Sequence, residues 1–279
     1  MSDFRNFPLS PSELSGASIR PYDFYEISED DDGTSRTLHL QPGLNNCTFT
    51  GLVFEVKEEG KVMYKVKPCD MYGMQHMEPA GPLYSIKHVE GSIHRLHLPH
   101  CETRTDGVKF IPAQVTGGKV EIFQPVEVTD THVIIEVKQV PSGFGVLKLY
   151  PFSGNPIRAQ VLLFYDQSLT KLNIHVLPAN VPVEEVQRKH EGMTYISSSA
   201  CQLTPGKTYR PICRTGDRDY VCQPEEEMFK CDFGPNFRPT FEVFLNSDVN
   251  RVTLSLLEGL VVWTPRDVLL PGAGGASNQ

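Results

Sequence analysis

The sequence lacks a long apolar run, a signal peptide and an excess of basic residues. In this chain of 279 residues, no stretch approaches the ~18 consecutive apolar residues that a membrane-spanning helix needs. The N-terminus, MSDFRNFPLSPSEL, has no basic segment followed by an apolar one, as a secretory signal would. The 26 basic and 34 acidic residues give a formal net charge of −8, which opposes binding to nucleic-acid phosphates. We therefore expect neither a membrane nor a nucleic acid as a partner.

Cysteine pairs of the form Cys-x-x-Cys are also absent. The seven cysteines are odd in number and irregularly spaced, which favours reduced thiols over a disulfide framework. Because reduced thiols are typical of the cytosol, we expect a cytoplasmic location with all the cysteines free.

Helical periodicity is scarce, whereas strand-like patterns are frequent. The 22 glycines and 22 prolines suit short strands joined by turns. Strands are predicted at residues 36–40, 51–56, 61–66, 92–98, 133–137, 161–165, 171–177, 206–211, 241–245, 251–257 and 260–263. Gly117-Gly118 predicts a tight hairpin turn.

One segment, residues 183–190, predicts a short helix. It follows Pro182, begins with acidic residues and ends with basic ones, an order that complements the helix dipole. The predicted fold class is therefore all-β, built from antiparallel β-sandwiches with one short helix. Residues 1–20 are predicted to form a flexible arm, and residues 272–279 a flexible tail.

A run of 24 residues, MEPAGPLYSIKHVEGSIHRLHLPH (77–100), carries a specific resemblance. It resembles the function-to-find domain (FIIND) of inflammasome sensors, a ZU5 module followed by a UPA module. That family has A-G-P-L-x-x-I-K, then E-x-G, then H-L-P-H. The matching residues here are Ala80, Gly81, Pro82, Leu83, Ile86, Lys87, Glu90, Gly91, His97, Leu98, Pro99 and His100.

The resemblance extends, more loosely, over the second half of the chain. It rests there on VLLFYDQ (161–167), on the position of the helix and on LVVWTPRDVLLPG (260–272). It implies two antiparallel β-sandwich modules, one ZU5-like at residues 21–141 and one UPA-like at residues 142–271.

In this family, a serine between the two modules can cut the peptide bond that precedes it. Its hydroxyl attacks the preceding carbonyl, which requires a strained peptide, a base and donors for the oxyanion. Aligning Gly145-Val146-Leu147 with the family's G-V-L places Ser142 at the serine and Pro141 before the bond. The family has Phe-Ser-Pro here, whereas this chain has Pro141-Ser142-Gly143.

The base of the reaction also departs from the family pattern. The family histidine lies in an Ala-His-Phe context, which matches Ala113-Gln114-Val115 here, so Gln114 stands in its place. The amide of Gln114 is essentially non-basic. His132 matches a second family histidine and is a possible base if its strand runs past Ser142. We expect an uncleaved module; the alternative is a self-processing serine protease that cuts between Pro141 and Ser142.

Three histidines, His94, His97 and His100, have a spacing that suggests a metal site. Side chains alternate between faces along a strand, and Pro99 interrupts this one, so the three do not converge. We expect no metal and no cofactor, and instead expect His97 and His100 to bond to backbone at a strand end.

The resemblance implies a regulatory and protein-interaction module of innate immune signalling. The ZU5-like half would restrain a UPA-like half that self-associates. Candidate partners by resemblance are the cytosolic dipeptidyl peptidases 8 and 9. A second possibility is a ZU5–UPA scaffold or adaptor, as in ankyrins, netrin receptors of the UNC type or the death-domain protein PIDD.

Overall fold

A computed structural model describes residues 20–22, 25–30, 33–67, 77–90, 92–138, 140–149, 154–216, 219–234 and 236–271. The predicted tail, the predicted arm except for Arg20, and Cys69 lie outside the described residues. Among these residues, no helix is long and apolar enough to cross a membrane.

Fourteen strands form the first half of the described chain. They are β1 (Arg20–Tyr22), β2 (Tyr25–Asp30), β3 (Gly33–Leu40), β4 (Gly43–Cys47), β5 (Val53–Val56), β6 (Gly60–Lys67), β7 (Glu78–Pro79), β8 (Leu83–Glu90), β9 (Ile93–Pro99), β10 (Lys109–Thr116), β11 (Lys119–Ile122), β12 (Glu127–Val128), β13 (His132–Glu136) and β14 (Ser142–Leu149).

These strands make a two-sheet sandwich. One sheet has the order β1-β4-β5-β9-β13-β12, and the other β11-β10-β14-β8-β6-β3-β2, with β7 paired to β14. Alternate residues of each strand point inward, because side chains of a strand alternate between faces. Phe54, Leu96, Val133 and Phe144 meet in this way in the core between the sheets, and each is fully buried.

Nine strands and one helix form the second half. They are β15 (Ile157–Asp166), β16 (Lys171–Pro178), α1 (Val183–Lys189), β17 (Thr194–Leu203), β18 (Thr208–Arg214), β19 (Tyr220–Gln223), β20 (Glu227–Met228), β21 (Phe241–Leu245), β22 (Arg251–Glu258) and β23 (Leu260–Leu269).

The second sandwich stacks a sheet of order β17-β15-β16-β21-β19 on a sheet of order β20-β18-β22-β23. Val161, Ile174 and Val252 belong to the core between them. The single tryptophan, Trp263, is buried there, and its Nε1–H donates to Ser199 Oγ on the opposite sheet at 3.1 Å. That bond satisfies the one polar atom of an otherwise apolar side chain.

Helix α1 confirms the predicted helix, one residue shorter than expected. Pro182 is its N-cap, Glu184 and Glu185 lie in the first turn, and the last turn is basic. Val186 is fully buried against the outer face of the β15–β16 sheet, where Phe164 is one of its neighbours. This contact, with the packing of Val183 and the ion pair of Glu185 with Arg36, fixes a helix too short to be stable alone.

The predicted fold class, all-β antiparallel sandwiches with one short helix, is confirmed. The Gly117-Gly118 hairpin is confirmed too: the two residues join β10 to β11 with φ of +56° and +79°. Both angles lie in the left-handed region, which glycine enters without steric cost and which suits a two-residue hairpin turn.

β14 begins at the boundary expected between residues 141 and 142, and it pairs within the first sandwich. Seven of its residues pair with β10, from Gly143↔Val115 to Leu149↔Lys109, and its start pairs with β8. Phe144 and Val146 pack in the first core. The change of sandwich comes between β14 and β15, so the first module extends beyond Ser142.

A buried ion pair lies where the two sandwiches meet. Lys148 Nζ on β14 is 2.5 Å from Glu102 Oε1, and the two side chains are 0% and 1% exposed. Glu102 forms a β-bridge with Ile157, and its neighbour Cys101 is buried in the core of the second sandwich. The pair therefore ties the central strand of one sandwich to the first strand of the next.

Further polar contacts join the sandwiches around this pair. Asn180 Nδ2 donates to the carbonyls of Ala80 and Pro99 at 3.0 and 3.1 Å. Arg158 Nη2 donates to the carbonyl of His100 at 2.9 Å, and the backbone N–H of Arg158 donates to Cys101 at 2.6 Å. Backbone carbonyls of the first sandwich are thus hydrogen-bonded by donors of the second sandwich.

We expect Lys148→Met to destabilise the protein strongly, because it leaves the Glu102 carboxylate buried without its cation. Breaking one side of a buried pair costs about 3–5 kcal/mol. Urea unfolding followed by tryptophan fluorescence should show a much lower midpoint. Arg104→Gln, which breaks the exposed Arg104–Asp106 pair, is the control and should leave the midpoint unchanged. Equal midpoints for the two variants would contradict the role given to the buried pair.

Candidate functional site

Ser142 is the first residue of β14 and lies between β10 and β8. Its side chain points to the inner face, as those of Phe144 and Val146 do, and the residue is only 5% exposed. The chain bends at Val140 and Pro141, and Pro141 is exposed. The peptide bond between Val140 and Pro141 is cis. The Pro141–Ser142 bond thus connects an exposed bend to a buried strand.

The hydroxyl of Ser142 is held by two side chains of β10. Gln114 Nε2 donates to Ser142 Oγ at 2.8 Å, and Thr116 Oγ1 lies 3.0 Å from the same oxygen. The register explains the contacts: Gln114 pairs with Phe144, and Val115 with Gly143. One residue further along β10, Thr116 therefore lies opposite Ser142. Gln114 lies diagonally opposite Ser142 on the same face of the sheet.

Neither of these two side chains is a base that could take up the proton of Ser142, although the Thr116 hydroxyl can accept a hydrogen bond from it. An amide nitrogen donates hydrogen bonds and has no basic lone pair, so Gln114 engages the serine oxygen without activating it. Serine is a weak nucleophile unless an adjacent base accepts its proton. The contact of Gln114 with Ser142 has the distance of a base–nucleophile pair, but Gln114 lacks the basicity that such a pair needs.

His132 lies in the other sheet of the first sandwich. Its strand, β13, pairs with β9 and β12 rather than with β14. The Nε2–H donates to the Gly51 carbonyl at 2.8 Å, and Nδ1 lies 2.8 Å from Thr131 Oγ1. Burial lowers the pKa of His132, only partly offset by the Gly51 bond. The condition under which His132 would be the base, a strand running past Ser142, is not met.

The backbone after the Pro141–Ser142 bond is regular. Ser142, Gly143 and Phe144 pair in register with Ile86, Ser85 and Tyr84 of β8. In the described part of the chain, the non-glycine residues with positive φ are Thr170 and Phe237, both in the second sandwich. The structure therefore shows an extended strand on the C-terminal side of the bond.

A polar cleft opens beside the Ser142 hydroxyl. It has a volume of about 290 Å³ and is lined by Gln114, Thr116, Lys119, Glu121 and Lys138. Our sequence analysis missed Thr116 and Glu121. The signal was available, since Thr116 is two residues from Gln114 on one strand face, and Glu121 faces Gln114 across the Gly117-Gly118 hairpin.

The histidines of β9 form separate contacts. His100 Nε2 donates to the Thr129 carbonyl at 3.0 Å, as expected, and its Nδ1 accepts the backbone N–H of Glu102. For His97 the expected backbone bond is not found at Nε2, which is buried without a partner. Among the described residues, no group of three or more His, Cys, Asp or Glu side chains is placed to hold a metal ion.

The fold defines a class of protein: two consecutive antiparallel β-sandwiches, with Ser142 at the start of the last strand of the first one. The model of the FIIND family, described as "function to find", matches residues 28–153, and that of the UPA-FIIND domain matches residues 157–266. The chain belongs to the FIIND family. The border between the two matches falls after β14, in agreement with the structure. Comparison with curated proteins gives no match.

Buried neutral histidines should make the protein sensitive to mild acid. Burial lowers the pKa of His97 and His100 to about 4, and burial followed by the charge of His190 lowers that of His175 to about 3. Between these values and the unfolded pKa of about 6.5, the unfolded chain binds more protons. The free energy of unfolding should therefore fall as the pH drops below about 6.5.

Chemical unfolding at pH 7.5 and pH 5.5 measures this effect. His175→Phe removes the most deeply buried of these imidazoles, which packs edge-on against Phe164, and should reduce the loss of stability between the two pH values. An unchanged difference in that variant would show that His175 does not contribute to the acid sensitivity.

Proposed function

We propose that this chain is a FIIND-type regulatory and protein-interaction module of innate immune, inflammasome-type signalling, active in the cytoplasm and not self-cleaved. The main support for the uncleaved state is the hydrogen bond from Gln114 Nε2 to Ser142 Oγ. It places a non-basic amide where cleavage needs a proton acceptor. Without cleavage, the ZU5-like half restrains the UPA-like half both covalently and through their interface.

The interface supports the proposed restraint. The bonds made by Asn180 and Arg158 cross between the sandwiches, and Glu102, held by its ion pair with Lys148, forms a β-bridge with Ile157 of the second sandwich. β14 begins at Ser142 and is embedded between β10 and β8. A cut at Ser142 would therefore leave the second half attached to the first by a full strand.

The exposed edge of the second sandwich supports the proposed self-association. β23 is an edge strand among the described residues, and Leu260, Val261 and Leu269 on it are 81%, 53% and 70% exposed. An edge strand with exposed apolar side chains is a template for pairing with another chain. By family resemblance, the proposed partners of the restrained state are the cytosolic dipeptidyl peptidases 8 and 9.

The intact mass of the purified protein tests the uncleaved state. We expect a single species at the full 31.3 kDa after prolonged incubation at neutral pH. Two fragments divided between Pro141 and Ser142 would support the alternative, a self-processing protease, and would overturn the proposal.

Introducing a base at position 114 tests why Ser142 would not cut the chain. Gln114→His, alone and with Pro141→Phe, should give partial cleavage before Ser142, because a general base typically contributes about 10²–10⁴-fold in rate. Adding Ser142→Ala should abolish it. Gln202→His, a matched change on an exposed position of β17, should have no effect. Cleavage that survives Ser142→Ala would refute the assignment of the nucleophile.

Self-association should depend on the exposed edge of β23. Sedimentation velocity over a range of protein concentrations should show association that Leu260→Glu together with Leu269→Glu weakens, because charges on an edge strand oppose pairing. Leu169→Glu, at an exposed leucine of the β15–β16 turn, is the control. Equal association of all three proteins would place the self-association surface elsewhere.

A further inference from the structure

A second cleft lies between the two sandwiches, away from Ser142. It has a volume of about 270 Å³. The first sandwich contributes residues 48–51 and the adjoining ends of β9 and β13, whereas the second contributes Arg158 and residues 179–182. The cleft therefore exists only while the two halves are associated.

Arg158 is the one residue of this lining with a permanent charge. Its Nη2 donates to the carbonyls of His100 and Asp130, both at 2.9 Å, which fixes the position of the guanidinium. Among the described residues, no carboxylate pairs with it, and its Nε and Nη1 have no hydrogen-bond partner. With both Nη2 hydrogens bonded, the guanidinium keeps free N–H donors on Nε and Nη1, and each of them can make a single charge-assisted hydrogen bond to a carboxylate oxygen.

The two histidines of the cleft add no charge. His100 and His132 each donate from Nε2 to a carbonyl, of Thr129 and Gly51 respectively, and each has Nδ1 beside a donor. Both imidazoles are thus fully bonded in the neutral form. The cleft consequently carries a single positive charge, that of Arg158.

The remaining walls of the cleft are largely apolar. Phe49 and Pro99 come from the first sandwich, and Val181 and Pro182 from the second. Ligand clefts of small molecules typically combine such apolar walls with few polar groups that fix orientation. The volume of the cleft suits a ligand in which a few carbon atoms are attached to the charged group.

We propose that this cleft binds a monocarboxylate carried on a small apolar body, with the carboxylate hydrogen-bonded to a free N–H of the Arg158 guanidinium. One positive charge balances one negative charge, whereas a phosphate dianion would remain partly uncompensated among apolar walls. The carboxylate belongs either to a free organic acid or to the C-terminal residue of a peptide. Because both sandwiches line the cleft, the bound ligand stabilises their association; the binding itself does not depend on the proposed signalling role.

Titrations of the whole chain followed by NMR or calorimetry test the proposal. The probes are phenylacetate, N-acetyl-glycyl-leucine with a free carboxylate, the amides of both, and inorganic phosphate. Both carboxylates, or one of them, should bind saturably, and each amide should bind at least about tenfold more weakly, as expected for loss of a charged hydrogen bond. Binding of phenylacetate alone would identify a free organic acid as the ligand. Binding of the peptide alone would identify the C-terminal carboxylate of a peptide. Equal binding of acids and amides, preference for phosphate, or no saturable binding would overturn the proposal.

Two variants locate the binding at Arg158. Arg158→Gln should weaken carboxylate binding at least about tenfold. Ala179→Asp should do the same without touching the interface bonds, because Ala179 is exposed, lines the cleft and donates its backbone N–H to the Arg158 carbonyl. Ala179→Ser and Arg104→Gln are the matched controls and should bind as the unmodified protein does. Undiminished binding to a folded Ala179→Asp protein would exclude this cleft.

Discussion

The buried ion pair of Lys148 and Glu102 is the constraint on which the arrangement of the two halves depends. Removing two charges from water is costly, and the cost is offset only where geometry and surrounding bonds are good. Glu102 meets this requirement at the point where the chain forms a bridge to Ile157, the first residue of the second sandwich. A shift of one sandwich against the other breaks the Glu102–Ile157 bridge beside this ion pair, so a single low-energy docking is favoured.

The proposed loss of self-cleavage would leave the structure of the junction unchanged. Gln114 and histidine both present a nitrogen at a similar distance from the backbone, so the glutamine still reaches Ser142 and the strands still pair. What differs is basicity, which contributes nothing to the packing of the first core. A family member can therefore lose self-cleavage through one side chain without any change in fold.

Much of the fold could be predicted from local sequence. The helix at Val183–Lys189 has acidic and basic ends that act within one turn, and the Gly117-Gly118 hairpin requires positive φ at two adjacent residues. The place of β14 could not be predicted in this way, because its apolar residues fit either sandwich and only pairing with β10 and β8 decides. The Arg158 cleft has no local signal at all, since its walls come from segments far apart in the chain.

The position of β14 also has a mechanical consequence. It is a central strand, bonded on one side to β10 over seven residue pairs and on the other to β8 and β7. Tension applied to the second half pulls β14 along its own axis, so the ladder bonds on both sides bear the load together rather than breaking one after another. Cutting the peptide bond before Ser142 would therefore not release the second half by itself, because the β14 ladder bonds would still have to be sheared.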